Sequence, residues 1–418
     1  MVATIPSASG NRIASMDQFR GFIVMGMVLV NYAGAFDWVK QTAPVLEHHN
    51  TYFSFADTIM PAFQFAVGFS LRMTLLRRLA QIGPGPAYFR VGRRILGLIL
   101  IGTVLELGEN TAKSWTELSA LTFWEAIAGL LKSGIWNTLT IIAVTSLWVL
   151  PVMAASARVR LAYLLASLAL HFGICQGFYF DFMVGRPNWL SGIWGLESDR
   201  GLDGGPFGFL AWSFLQLVGS FAYDAIASGR RKSAFSGLLG AGILLSGAGY
   251  AFLCLSMLYP LTTPPATNEG DIVIADSPMI PPIDRLETAD LKTLKPLLAR
   301  PPFVQPPAEE QRELSYWLMC KRVVTLPFLL ASAGYSLAVY ALFVLFCDLG
   351  SLAIGVLRTF GQNPLAAYII HEMVGKAVAS YAPHDAPWPW VVGSFLIYFT
   401  VTYLFVRHLE KNGIFLRM

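Results

Sequence analysis

The sequence predicts an all-α polytopic membrane protein, a single bundle of about ten transmembrane helices with both termini cytoplasmic. Three observations carry this. The 418 residues are 55% hydrophobic and only 13% charged, with a mean hydropathy of +0.54, against about 25% charge in a soluble domain. Apolar runs long enough to span, near 20 residues each, recur near residues 21–38, 53–76, 95–108, 135–154, 159–180, 207–227, 234–258, 323–347, 362–381 and 388–407. Arginine and lysine gather in alternate loops, while the intervening loops hold acids such as Asp37, Glu47, Asp181 and Asp203. The positive-inside rule puts the basic loops in the cytoplasm. Residues 1–418 therefore read as one transmembrane domain. The net charge of +4 reflects those basic loops and not a surface for nucleic acid.

The first hairpin, residues 12–68, concentrates the informative polar residues. Asp17 and Arg20 stand at the entry of the first apolar segment, and Asn31 lies near its exit. Glu47, His48, His49 and Asn50 end the loop, and Asp57 opens the second segment. Polar groups are expensive in hydrocarbon, so this pattern points to a lined cavity. The apolar run after Arg20 lacks a small-residue cleavage site and reads as an anchor that stays.

Further along, Arg90, Arg93 and Arg94 fall at i, i+3 and i+4 of an extending helix, a spacing that gathers them into one patch for phosphate. The same arginines also serve as topology determinants. Arg158 and Arg160 belong to another basic loop. Residues 115–132, with Trp115, Phe123 and Trp124, form an amphipathic stretch for the membrane interface. His171 reads as a core histidine. Residues 259–322 are a long proline-rich external loop, including Pro264-Pro265 and Pro301-Pro302, either an ordered lid or a flexible cover. Cys175, Cys254, Cys320 and Cys347 have no framework spacing, and no metal site is expected.

A pattern then becomes visible at residues 12–34 and 56–68. Arg12, Ser15, Asp17, Phe19, Arg20 and Gly21 are followed by Val30-Asn31-Tyr32 and Gly34. After the histidine loop come Ala56, Asp57, Pro61, Phe63, Phe65 and Gly68. This resembles heparan-α-glucosaminide N-acetyltransferase and its bacterial relatives. Arg94, the Asp203-Gly204-Gly205 element, and Phe360-Gly361 with Asn363, Tyr368 and His371 look like later elements of the same family. The match is dense over the first 105 residues and patchy afterwards.

The resemblance implies a transmembrane acyltransferase of the bacterial inner membrane, moving acetyl from cytosolic acetyl-CoA to an amino sugar or other glycan outside. Acetyl-CoA is then the acyl donor, and a homodimer is compatible. The family's active-site pair, an Asn and a His of the first external loop, maps to Asn31 and to His48 or His49. Asp203, Asn363 and His371 become candidates for substrate binding, and Arg20, Arg90, Arg93 and Arg94 for the donor.

The chemistry suits these residue types. Histidine takes a proton from an incoming amine or hydroxyl near neutral pH, or itself carries the acyl group, Asn31 offers an amide donor for a developing oxyanion, and Asp57 is placed to orient the histidine. Asp57 equally suits an N-cap of the second helix. Donor phosphates inside and a histidine outside call for a hollow bundle. In it the first, second and ninth spans line a pore and Asn363 and His371 form part of its wall. A transporter of small amino sugars fits the intramembrane polar residues as a second reading. A haem or metal protein using His171 and His371 is a third.

Overall fold

The computed structural model describes residues 13–106, 114–194, 200–263, 273–282 and 297–416. Arg12, Pro264 and Pro265 lie outside them. The described residues are all-helical, with two isolated bridges, Leu261 to Arg312 and Ile274 to Leu314, as their extended pairing. In chain order the helices are α1 (Ala14–Ala33), α2 (Asp37–Thr42), α3 (Ala56–Ile82), α4 (Pro84–Glu106), α5 (Trp115–Ala120), α6 (Phe123–Gly129), α7 (Thr138–Val149) and α8 (Ala157–Ile174). They continue as α9 (Phe180–Val184), α10 (Trp189–Trp194), α11 (Phe209–Ala227), α12 (Arg231–Leu253), α13 (Leu326–Phe343), α14 (Gly355–Gln362), α15 (Pro364–Ala379) and α16 (Trp388–Lys411).

Among the described residues, six helical stretches are long and apolar enough to cross a membrane: Ala56–Ile82, Ala157–Val184, Gly205–Ala227, Arg231–Leu258, Leu326–Leu349 and Trp388–Lys411. By length and composition the chain is a multi-pass membrane protein. The apolar window is 61%, 72% and 61% buried in the stretches holding α3, α11 and α13, against 22% in those holding α8, α12 and α16. The first three form the centre and the last three the periphery.

Glycine sets two central crossings. A Cβ at Gly68 of α3 would run into the Gln216 carbonyl of α11, and one at Gly219 into the Phe65 carbonyl, so the two backbones touch. Gly21 of α1 and Gly361 of α14 meet the Leu357 and Asp17 carbonyls in the same way. Small residues permit this approach in lipid, where packing replaces the hydrophobic effect between helices. Next to the first crossing, Gln216 Nε2 donates to Gln64 Oε1 at 2.7 Å and is 3.0 Å from Ser146 Oγ, so buried Gln216 finds its partners on α3 and α7, while Gln64 Nε2 is left without one among the described residues.

Helix ends are also satisfied from a distance. Ile13 precedes α1 without a capping side chain. Asp348, from the turn after α13, supplies the cap instead, accepting Ser15 N–H at 3.2 Å and Ser15 Oγ–H at 2.8 Å. Asn137 caps α7 through Oδ1, which accepts from Leu139 and Thr140 N–H, while its amide donates to the Gly102 carbonyl at 2.8 Å.

Three expectations change. The third apolar segment is longer than its apolar core, because α4 begins at Pro84 and carries its three arginines within the helix. The ninth, expected over 362–381, is α15 from Pro364, and a separate short helix, α14, precedes it, the two being parted at Asn363 because proline disfavours helical geometry in the residue before it. Arg160 is not a loop charge. It is fully buried and, with buried Arg72, grips Asp224 of α11; Arg72 Nε donates to Asp224 Oδ1 at 2.6 Å. Arg72 also donates to the carbonyls of Met153 and Ala155.

The described parts of the 259–322 loop are ordered and packed on the bundle. Phe303 N–H donates to the Phe53 carbonyl at 2.7 Å, and Tyr250 Oη–H to the Ala299 carbonyl at 2.8 Å. Trp115 and Phe123 are 78% and 81% exposed on α5 and α6, as an interface stretch would be.

Candidate functional site

The local sequence Ser54-Phe55-Ala56-Asp57 builds the first part of the site. Ser54 Oγ accepts Asp57 N–H at 3.2 Å, and Asp57 Oδ2 accepts the Ser54 hydroxyl at 2.8 Å. This reciprocal arrangement closes the start of α3. Asp57 is therefore not the N-cap, because Ser54 does that work, and its carboxylate is available to the loop. Oδ1 lies 2.9 Å from His48 Nδ1, and Oδ2 accepts His49 N–H at 3.2 Å. Asp57 is 1% exposed and the His48 side chain 50%. A buried carboxylate thus holds one nitrogen of an imidazole whose ring reaches solvent, the base-and-orienter arrangement of acyl-transfer sites.

His49 is occupied differently. Its Nε2 lies 3.1 Å from the Pro44 carbonyl, and its ring packs on Tyr52 at 4.3 Å between centroids. Burial pushes the Tyr52 phenol upward, helped by the negative charges of Asp57 and Glu47. Of the two histidines, His48 carries the carboxylate and His49 shapes the loop.

Asn31 meets a different partner from the expected one. Its Nδ2 lies 3.1 Å from Nε2 of His371, which is 1% exposed on α15. His371 Nδ1 faces the Tyr368 carbonyl of the preceding turn. A proton on Nδ1 satisfies that carbonyl and leaves Nε2 to accept from the Asn31 amide. Glu372 Oε1 stands 3.5 Å from the same Nε2. The pair opens into a pocket of about 260 Å³ lined also by Lys376, His384 and Tyr398. The walls come from α1, the turn after it, α15 and α16, rather than from the second apolar segment. The reason is packing: the last turn of α1 faces α15, while the loop after it folds away to cap α3. The loop still returns to the end of α1, where the Leu46 carbonyl would lie 3.5 Å from a Cβ on Gly34.

Asp203 belongs to a strained turn. Asp203, Gly204 and Gly205 have φ of 45°, 92° and 55°, three successive left-handed residues, of which only the glycines adopt that conformation freely. Asp203 pairs with Lys321 at 3.0 Å, both side chains being under 15% exposed. Gly204 N–H donates to the Arg322 carbonyl at 2.9 Å, and Arg322 N–H to Asn50 Oδ1 at 3.0 Å. The turn is thereby tied to the segment that carries His48. Nothing in the sequence marks Lys321, which lies at the very end of the proline-rich loop. Lys132 was also missed. It is fully buried, 4.5 Å over the Phe182 ring.

Two other candidates serve the framework. Asn363 is fully buried, donating to the Ile414 carbonyl at 2.9 Å and accepting Leu416 N–H at 3.0 Å, so it fastens the segment after α16 instead of lining a wall. His171 is buried, with its ring nitrogens 3.8 and 3.9 Å from Cys175 Sγ.

Of the basic candidates, Arg20 lies near the start of α1 and Arg90, Arg93 and Arg94 lie on α4. Arg20 pairs with Asp17 at 3.3 Å and reaches Ser70 of α3. Arg90 and Arg93 are exposed and Arg94 is half-buried. Arg78 lies close enough to both Arg90 and Arg77 for their charges to interact, so the patch is wider than its i, i+3, i+4 core. From Arg20 to Asn31 the helix rises about 16 Å. Neither the protein-family models nor the curated protein sequences compared with the chain give a match.

Proposed function

We propose that this protein is a membrane-embedded acyltransferase of the kind its first hairpin resembles, moving an acetyl group from cytosolic acetyl-CoA to an amino sugar or related glycan on the far side. The observation that carries this reading is the His48–Asp57 pair, a half-exposed imidazole on a buried carboxylate that two further hydrogen bonds hold in place. The reading includes ten spans in one domain, with both termini and the Arg90 patch in the cytoplasm. It is supported by the six helical stretches among the described residues that are long and apolar enough to cross a membrane, and it adds α1, α4, α7 and α15 as the remaining four passages. It also includes a bacterial inner-membrane location and a protein that is free to act as a homodimer.

In the proposed reaction the acceptor amine attacks the thioester carbonyl carbon. The N–C bond forms, the C–S bond breaks, and the amine proton passes to His48 Nε2, then to the departing CoA thiolate. Asp57 keeps the Nδ1 side of the ring occupied and stabilises the imidazolium. Asn31, steadied by His371, supplies an N–H to the carbonyl oxygen as it gains charge. Arg90, Arg93 and Arg94, joined by Arg77 and Arg78, face the donor's phosphates. Arg20 is committed to Asp17 and Ser70 and positions α1 against α3. Asp203 and Lys321 flank the acceptor side as an oriented ion pair.

The test is release of free CoA from acetyl-CoA by the purified protein with and without glucosamine. The expected result is release that requires glucosamine and is lost in His48→Ala. Uptake of labelled glucosamine into proteoliposomes without any CoA release replaces this reading with a transporter.

A further inference from the structure

We infer that the groove between α8, α11, α12 and α13 is a binding site for an anionic phospholipid, whose acyl chain lies along α12 and whose phosphate sits on Arg230. The groove has a volume of about 770 Å³, within the roughly 300–1,000 Å³ of ligand sites. One wall is an i, i+3, i+4, i+7 row on α8: Leu161, Leu164, Leu165 and Leu168. Its floor on α12 is small, with Ala234, Gly237 and Ala241, and that is why the surface is concave there. From Ser233 to Phe252 the groove follows α12 for roughly 28 Å, nearly the hydrocarbon thickness of about 30 Å.

Charge selects the occupant. Arg230 is the one ionisable residue on the lining, and Ser228 and Ser233 flank it at the same end. Among the described residues no acid pairs with Arg230. Asp348 is taken by neighbouring Arg231 and by Ser15, and Asp224 by Arg72 and Arg160. Lys232 is exposed beside it. An apolar trough ending in uncompensated basic charge and two hydroxyls matches a hydrocarbon tail with an anionic phosphodiester head. A second copy of the chain matches less well. A two-fold axis along the membrane normal would set both copies' Arg230 and Lys232 at one depth, facing like charges. The inference rests on membrane embedding and not on acyl transfer, so each can fail without the other.

The test is native mass spectrometry of the full-length protein in detergent carrying either dioleoyl phosphatidylglycerol or dioleoyl phosphatidylcholine. The expected result is preferential retention of one phosphatidylglycerol. Arg230→Gln should weaken that retention about fivefold, the equivalent of about 1 kcal/mol for one basic side chain at the headgroup. Gly237→Leu should remove the bound lipid without unfolding the protein, because a Cβ at Gly237 meets no atom within 4 Å; an unchanged or higher melting temperature checks this. Equal retention of both lipids, insensitive to Arg230→Gln, overturns the inference. So does a Gly237→Leu protein that changes from dimer to monomer while keeping its lipid.

Discussion

Replacing Asp57 and replacing His48 should separate catalysis from folding. His48 is half exposed and its ring is anchored on the loop side by Asp57, so His48→Ala leaves the bundle intact. Its cost to stability should stay within about 1 kcal/mol. Its cost to turnover should be on the order of 10²–10⁴-fold, the usual contribution of a positioned general base. Asp57→Asn keeps the shape but changes the donor balance. The carboxylate accepts from Ser54 Oγ, His49 N–H and the His48 side, whereas an amide offers one acceptor oxygen and a donating NH2. The NH2 must then face one of these donors, or His48 must move its proton to Nε2 to accept from it and so lose its place as the base. Hydrogen bonds to a charged group contribute about 1.5–3 kcal/mol each, so Asp57→Asn should lose about 2 kcal/mol of stability as well as activity. CoA release with a thiol reagent measures the first quantity, and thermal unfolding in detergent the second. A His48→Ala enzyme within threefold of wild type refutes the assignment. An Asp57→Asn enzyme that is inactive but fully stable would show that the carboxylate serves the ring alone and not the start of α3.

Other outcomes follow from the same geometry. Asn31→Ala and His371→Ala should each reduce turnover by about 10²-fold, and the double variant should be far from additive because the two side chains bond each other; a double-mutant cycle on kcat/KM reads this, and simple additivity counts against a working pair. Asp224→Ala leaves buried Arg72 and Arg160 without their shared carboxylate and should destabilise the protein by about 3–5 kcal/mol, read as a fall in melting temperature, while an unchanged value would mean the carbonyls of Met153 and Ala155 suffice. Gly68→Ala forces α3 and α11 apart at the Gln216 backbone and should cost about 1–3 kcal/mol, whereas Gly237→Ala, in open space on the periphery, should be neutral or stabilising. Lys321→Ala, by releasing Asp203 from its ion pair, should raise KM for the acceptor several-fold with a smaller change in kcat, and an effect confined to kcat would remove the pair from the acceptor side.

Much of this protein follows from local sequence. A run of about 20 apolar residues has to become a helix in lipid, because only there are its backbone groups satisfied; the helical passages needed no tertiary information. The first hairpin was legible for the same reason, since Ser54, Asp57 and the histidines interact within nine residues. Tertiary structure decided the rest. Asn31 and His371 are 340 positions apart, and nothing local says which face of α15 turns toward the end of α1. Lys321 gains a role only when the end of the proline-rich loop reaches the Asp203 turn, and Arg160 looks like a surface charge until α11 brings Asp224 to it. Asn363 shared the appearance of a site residue, yet its partners lie 51 and 53 positions away, in the segment after α16. Hydropathy is a property of one segment and its surroundings, so sequence determines it. The partner of a polar side chain depends on helix rotation and crossing, which close contacts such as Gly68 on Gln216 and Gly21 on Leu357 set between segments remote in the chain.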